Sequence, residues 1–309
     1  MTNRHFHEGE LALQNKMGMR KQIDRAAEVM MRDHMPEQHR EFFNGLEYAF
    51  IGTVGEDGKP WASLVTGPSG FLASPDPKTL RVTRPLDRSD PAFAALDIGS
   101  PMGVLGLDFT NRRRNRMHGK IARIDAGGFD VAVAQSYGNC PKYISTRRIV
   151  ERVGTPAATR PVARAELTSE DITLIKKADT FFIATHHLDG SGQPYEGADI
   201  SHRGGHPGFV RVENANRLII PDYQGNNLFN TLGNLLANPA ADLLFIDFET
   251  GDLLHVNGDA SIIEDASAIA PYPGAKRLLK IGVSGTYRVD AGSSLRWVLL
   301  EASPFSPPA

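Results

Sequence analysis

Over the first 47 residues, apolar positions recur at helical spacing. Leu11, Leu13 and Met17, then Ile23, Ala26, Ala27 and Met30, lie in a stretch rich in Glu, Leu, Ala, Gln, Lys and Met, which predicts two helices within 9–35. Pro36, tolerated in a first helical turn, opens a short helix over 37–46 that can bury Phe42, Phe43 and Leu46. From Tyr48 the pattern becomes short apolar runs broken by turn residues. A strand over 49–54, a Gly-Glu-Asp-Gly turn at 55–58 and a returning strand over 60–65 form a β-hairpin. Further strands are expected at 79–82, 102–109 and 117–124, with Gly and Pro punctuating the gaps. This spacing favours a barrel over a sheet built from βαβ units.

The chain also repeats itself. Phe50-Ile51-Gly52-Thr53, followed by Pro60-Trp61, is echoed by Phe182-Ile183-Ala184-Thr185, followed by Pro194-Tyr195. Asp108-Phe109 returns as Asp247-Phe248, and His118-Gly119-Lys120 as Asn257-Gly258-Asp259, in the same order and at similar spacing. Ordered matches of this kind indicate duplication. Between the copies, residues 155–164 carry Pro156, Pro161 and several alanines, and Thr168-Ser169-Glu170-Asp171 caps a short helix ending near Ala178. The expected organisation is a helical segment at 1–47, a first barrel at 48–154 and a second at 155–309, mainly β with flanking helices.

A length of 309 residues suits two such modules, and 41% hydrophobic with 23% charged residues allows each a buried core. A net charge of -2 argues against a general nucleic-acid binder, so any anion site must be local. Cys140 is the single cysteine, which excludes an intrachain disulfide and a thiolate metal cluster and suits a reducing compartment. The start of the chain lacks a signal-peptide pattern, and no window reaches the ~20 apolar residues of a membrane helix. A cytoplasmic protein without a membrane partner is expected.

Walker loops, a Rossmann glycine fingerprint, His-Glu-x-x-His and the nucleophile elbow are all missing from the sequence. His186, His187, His202 and His206 crowd one stretch, but no carboxylate or thiol completes a ligand spacing and adjacent strand residues face opposite ways, so no metal site is assigned. Richer chemistry lies in residues 198–231. There Ser201, His202, Arg203, Asn226, Asn227 and Thr231 could give a mononucleotide phosphate a fixed charge with hydroxyl and amide donors. Nearby glycines would let backbone approach a flat ring, although Gly-Gly and Asn-Asn pairs are also ordinary loop composition.

With these residues the sequence resembles the flavin-nucleotide-binding relatives of pyridoxamine 5'-phosphate oxidase in their two-copy form. The likeness is carried by Phe6-His7-Glu8-Gly9-Glu10, by Asp57-Gly58-Lys59-Pro60-Trp61, by the arginine-rich run 111–116, by Tyr137-Gly138-Asn139-Cys140-Pro141-Lys142-Tyr143 and by the 201–231 block. It implies two FMN-binding split β-barrels in tandem, FMN as cofactor, and a site where two barrels meet, within one chain or across a homodimer. Carried over by position, Asp199, Ser201, His202 and Arg203 line the flavin. Asp222, Tyr223, Gly225, Asn226, Asn227, Asn230 and Thr231 approach its ribityl and phosphate. The chain lacks the family's Arg-x-Val-Leu-Leu-Lys strand and its phosphate-gripping Ser-Arg-Lys run, which weighs against vitamin B6 oxidation.

Arg112, Arg113, Arg114 and Arg116 form a local positive field that reads either as a solvated strand end or as a site for an anionic substrate or the FMN phosphate. Strand alternation would put Arg112, Arg114 and Arg116 on one side and Arg113 on the other. Cys140 has no base beside it in sequence, so packing outweighs a catalytic thiol. The leading reading is an FMN-dependent oxidoreductase acting on an unknown small molecule, with no catalytic residue assigned. Its competitor is a non-catalytic protein that binds or senses flavin, the deazaflavin F420 or haem.

Overall fold

The computed structural model describes residues 5–154 and 162–307, so most of the proline-bearing connection expected at 155–164 lies outside the described residues. Three helices lead: α1 (Glu8–Lys16), α2 (Arg20–Met30) and α3 (Glu37–Gly45). The first sheet holds β1 (Tyr48–Val54), β2 (Pro60–Thr66), β3 (Leu72–Ala73), β4 (Thr79–Val82), β5 (Pro101–Asp108), β6 (Arg113–Asp125) and β7 (Gly128–Asn139), with α4 (Pro91–Ala94) between β4 and β5. After β8 (Thr146–Arg152), β9 (Val162–Arg164) and α5 (Ser169–Lys177) come β10 (Thr180–His187), β11 (Gly197–Gly204), β12 (Arg211–Asn214) and β13 (Arg217–Asp222). The chain continues through α6 (Asn230–Ala237), β14 (Ala240–Ile246), β15 (Leu253–Ile263), α7 (Ala266–Ile269), β16 (Arg277–Val289) and β17 (Leu295–Glu301).

Both sheets follow one plan. Their orders, β2-β1-β5-β6-β7-β4-β3 and β11-β10-β14-β15-β16-β13-β12, correspond strand for strand, and β8 pairs with β17 to join the copies. Registers agree as well: Phe50 lies opposite Leu64 and Leu105, as Phe182 lies opposite His202 and Leu244. Both copies carry a bulge at the same place, His118/Gly119 and Asn257/Gly258. The duplication read from sequence is therefore a duplicated split barrel. One of its matches shifts, because the second hairpin is longer: Asp199, and not Tyr195, occupies the register position of Trp61.

Apolar residues gather into a core inside each barrel and a third core between them. Ile51, Val104, Met117 and Phe129 fill the first barrel, and Ile183, Leu243, Val256 and Ile281 fill the second. Phe50, Leu107, Phe109, Phe182, Ile246 and Trp297 form the core that welds the two, with the Phe50 and Phe182 rings stacked at 3.4 Å between centroids. Capping explains two helix starts. His7 N–H donates to Glu10 at 2.9 Å while the His7 ring accepts from Gly9 N, and Thr168 and Asp171 exchange equivalent bonds at α5. Helix α1 crosses α6 so closely that a Cβ on Gly9 would sit 2.3 Å from the Gly233 carbonyl oxygen. That crossing carries the α1–α2 connection to the barrel junction.

Candidate functional site

At the junction lies a cavity of about 310 Å³ built from both copies. Strand β11 contributes Ser201, His202 and Arg203, and strand β6 of the other barrel contributes Arg114 and Arg116. The 222–227 loop and the first residues of α6 form one rim, Lys276 and Arg277 at the start of β16 stand beside it, and Met17 and Met19 reach over from the helical segment. Asn227 and Phe229 in this rim hold left-handed backbone conformations, with φ of 61° and 66°. Such residues cost of order 1 kcal/mol each and persist where the surroundings enforce them.

Arg116 is the buried hub. It pairs with Asp199 at 2.9 Å, donates to the Ile200 carbonyl at 3.0 Å and to the Ser201 hydroxyl, and reaches Asn230 and Tyr137 at 3.3 Å. Burial pushes the Tyr137 hydroxyl up to about 12, so it stays protonated. Behind it Glu10 accepts from Asn230 at 2.6 Å, and burial pushes its carboxyl up to about 8.

The outer arginines are less satisfied. Arg114 donates to the Cys140 carbonyl at 2.8 Å and to His202 Nδ1 at 3.2 Å. Burial, reinforced by Arg114, Arg147 and Arg203, holds His202 well below its ordinary value, so the ring is neutral. A guanidinium can only donate, so Nδ1 accepts and the proton sits on Nε2. That Nε2 is buried without a partner, as are Arg203 Nε and both Nε and Nη1 of Arg277. Arg203 Nη1 does hold Asp222 at 2.7 Å, whereas Arg277 stays 3.8 Å from the same carboxylate. Leaving buried donors unmade costs ~1–3 kcal/mol each, which marks the cavity as a place for an acceptor-rich ligand.

Of the residues singled out in sequence, Ser201, His202, Arg203, Asp222, Tyr223, Gly225, Asn226, Asn227, Asn230 and Thr231 all line this one cavity, and Asp199 lies behind it on Arg116. The arginine run divides. Arg114 and Arg116 enter the cavity, whereas Arg113 lies 4.5 Å over Phe42 and donates to the Gln38 carbonyl. Arg112 departs from the expected alternation because β6 begins one residue later: with φ 62° it turns outward to the Ile144 carbonyl and Glu301. Sequence reasoning missed Met17, Met19, Asn139, Tyr143, Lys276 and Arg277. Local signals existed for four of them: Asn139 and Tyr143 lie in the family-like 137–143 run, and Lys276 and Arg277 are adjacent cations after the Gly274 turn.

The crowded histidines do not converge. His186 meets the Gly58 carbonyl at 2.9 Å, His187 stacks on His7, His202 is in the cavity and His206 lines a separate hollow with Tyr272 and Pro307. Cys140 Sγ accepts from Arg114 at 3.6 Å at the cavity wall. No helix among the described residues is long and apolar enough to cross a membrane.

Residues 167–298 match the family model described as pyridoxamine 5'-phosphate oxidase. Similar solved structures include HupZ of Group A Streptococcus, 19% identical with a TM-score of 0.32, covering 41% of this chain and 97% of that one. General stress protein 26 of Bacillus anthracis is 15% identical with a TM-score of 0.26, covering 42% and 97%. An FMN-binding protein from Syntrophomonas wolfei is 11% identical with a TM-score of 0.27, covering 39% and 89%. No curated protein matches the sequence.

Proposed function

We propose that this chain, whose residues 167–298 match the family model described as pyridoxamine 5'-phosphate oxidase, binds FMN in the cavity between its barrels and serves as a flavin-dependent oxidoreductase. The observation that carries the reading is the gathering of unpartnered buried donors, His202 Nε2, Arg203 Nε and the Nε and Nη1 of Arg277, on residues that line a cavity of mononucleotide scale. Their chemistry fits the cofactor. Arg203 and Arg277, with Lys276 and the Asn226-Asn227 turn, would hold a phosphate through fixed charge and amide donors. The rim conformations at Asn227 and Phe229 shape that turn. Arg114, Arg116, Ser201 and the neutral His202 would face the ring system with donors, and Met17, Met19 and Tyr143 would keep water from it.

FMN supplies hydride or electron transfer when bound, and the protein's part is orientation and electrostatics. Two guanidinium groups on one wall favour negative charge at that edge of the cavity. His202, held neutral, can donate a hydrogen bond without adding charge. Protein purified without added cofactor is expected to be yellow and to release FMN on acid treatment, and its flavin is expected to be reduced by NAD(P)H and reoxidised by an acceptor. Colourless protein that leaves FMN fluorescence unquenched would end this reading. Stable binding of flavin, the deazaflavin F420 or haem without turnover would favour a carrier or sensor instead.

A further inference from the structure

The repeated strand registers place a second cleft related to the first by the internal two-fold axis, so each cavity residue can be paired with its counterpart. Leu105 faces Arg116 where Leu244 faces His255, and Leu107 faces Arg114 where Ile246 faces Leu253. Phe50 faces Leu64 where Phe182 faces His202, which sets Val65 in the place of Arg203. Counting outward from Val82–Phe129 and Ile220–Leu279, the counterpart of Arg277 is Gly127. Four cavity residues that offer donors, Arg114, His202, Arg203 and Arg277, thus become Leu, Leu, Val and Gly.

We propose that the chain holds a single flavin, at the junction described above, and that its symmetry-related cleft is sealed by its own side chains; this rests on the flavin reading. The sealing is visible in the packing. His255, at the position of Arg116, is 2% exposed and its Nδ1 meets Asp242 at 3.0 Å. Asp242, fully buried at the register position of Gly103, also accepts from Ala62 N at 2.8 Å and Asn257 at 3.1 Å. Trp61, at the position of Asp199, lies 4.9 Å from the Tyr287 ring and 5.9 Å from His255. Leu64 and Leu253 join the core between the barrels. Arg84 replaces Asp222 but is spent on the Thr66 carbonyl at 3.1 Å, and Arg88, in the loop that follows β4, is spent on the Phe93 and Leu96 carbonyls at 3.1 and 2.6 Å. A doubly charged phosphate set against Val65 and Gly127, in the places of Arg203 and Arg277, would be desolvated without compensation.

The test is stoichiometry. Protein saturated with FMN, gel-filtered and acid-denatured is expected to release one FMN per chain. Two per chain would overturn the inference and leave the flavin reading intact, whereas none would overturn both. Position is tested by writing the sealed cleft into the open one: Arg114→Leu with Arg203→Val is expected to abolish retention while the circular dichroism spectrum stays native. A folded double variant that keeps one FMN overturns the assignment. If that pair does not fold, Arg203→Val alone is expected to weaken FMN at least about tenfold, a loss of ~1.4 kcal/mol, and unchanged affinity overturns it. Trp61→Phe, in the sealed cleft, is expected to keep one FMN, and loss of the flavin from this folded variant counts equally against the proposal.

Discussion

Replacing Arg203 with Ala tests the site at the point where charge and geometry are easiest to separate. The side chain is about one quarter exposed, grips Asp222 at 2.7 Å through Nη1 and leaves Nε unpartnered against the cavity. If that fork serves a phosphate, its loss removes a charge-assisted hydrogen bond of ~1.5–3 kcal/mol, or about 10- to 150-fold in Kd. Asp222 would also lose its closest cation and keep Arg277 at 3.8 Å, so the ligand-free protein should lose some stability as well. Quenching of flavin fluorescence, titrated in parallel with FMN and with riboflavin, reads the two effects apart. FMN should weaken by the full factor and riboflavin, which has no phosphate, by little. Arg203→Lys should restore part of the difference, since it keeps the charge and loses the fork. Equal losses for both flavins, or none, would refute the assignment of Arg203 to the phosphate.

Glu10 gives a pH prediction with a definite sign. Burial raises its folded value to about 8 from an ordinary 4.5, so the folded chain binds more protons than the unfolded chain between those limits and stability should fall as pH rises through the window. Urea denaturation should show a shallower decline for Glu10→Gln, and an identical slope would disprove the coupling. Gly9→Ala drives a methyl group to within 2.3 Å of the Gly233 carbonyl oxygen, so a cost of ~1–3 kcal/mol is expected in thermal unfolding, together with weaker flavin retention as the Met17–Met19 lip lifts. Phe50→Ala empties the stack on Phe182 and should cost ~3–5 kcal/mol by chemical denaturation.

Elements whose character is written locally were readable from sequence. The Thr168 to Asp171 capping box, the hairpin at 48–66 and the paired Phe-Ile-x-Thr runs each carry their signal within a few residues, and the structure has them where expected. Strand β7 was not read, because its Gln135, Ser136 and Asn139 blur the alternation and its order comes from β6 on one side and β4 on the other. The cavity residues clustered at 201–231 were legible through their glycines, amides and arginine. Met17 and Arg277 were not. They are 260 residues apart, and only the crossing of α1 over α6 brings them to 3.9 Å. The arginine run misled by one residue, since a left-handed turn at Arg112 resets the alternation that a continuous strand would impose.

The stacked Phe50 and Phe182 rings sit where a symmetric pair of separate subunits would place one residue and its own image. In such a pair every mutation is written twice, so a cleft cannot be lost on one side and kept on the other. Fusing the halves into one polypeptide removes that constraint: one face is free to keep its ligand chemistry while the opposite face turns into ballast that stiffens it.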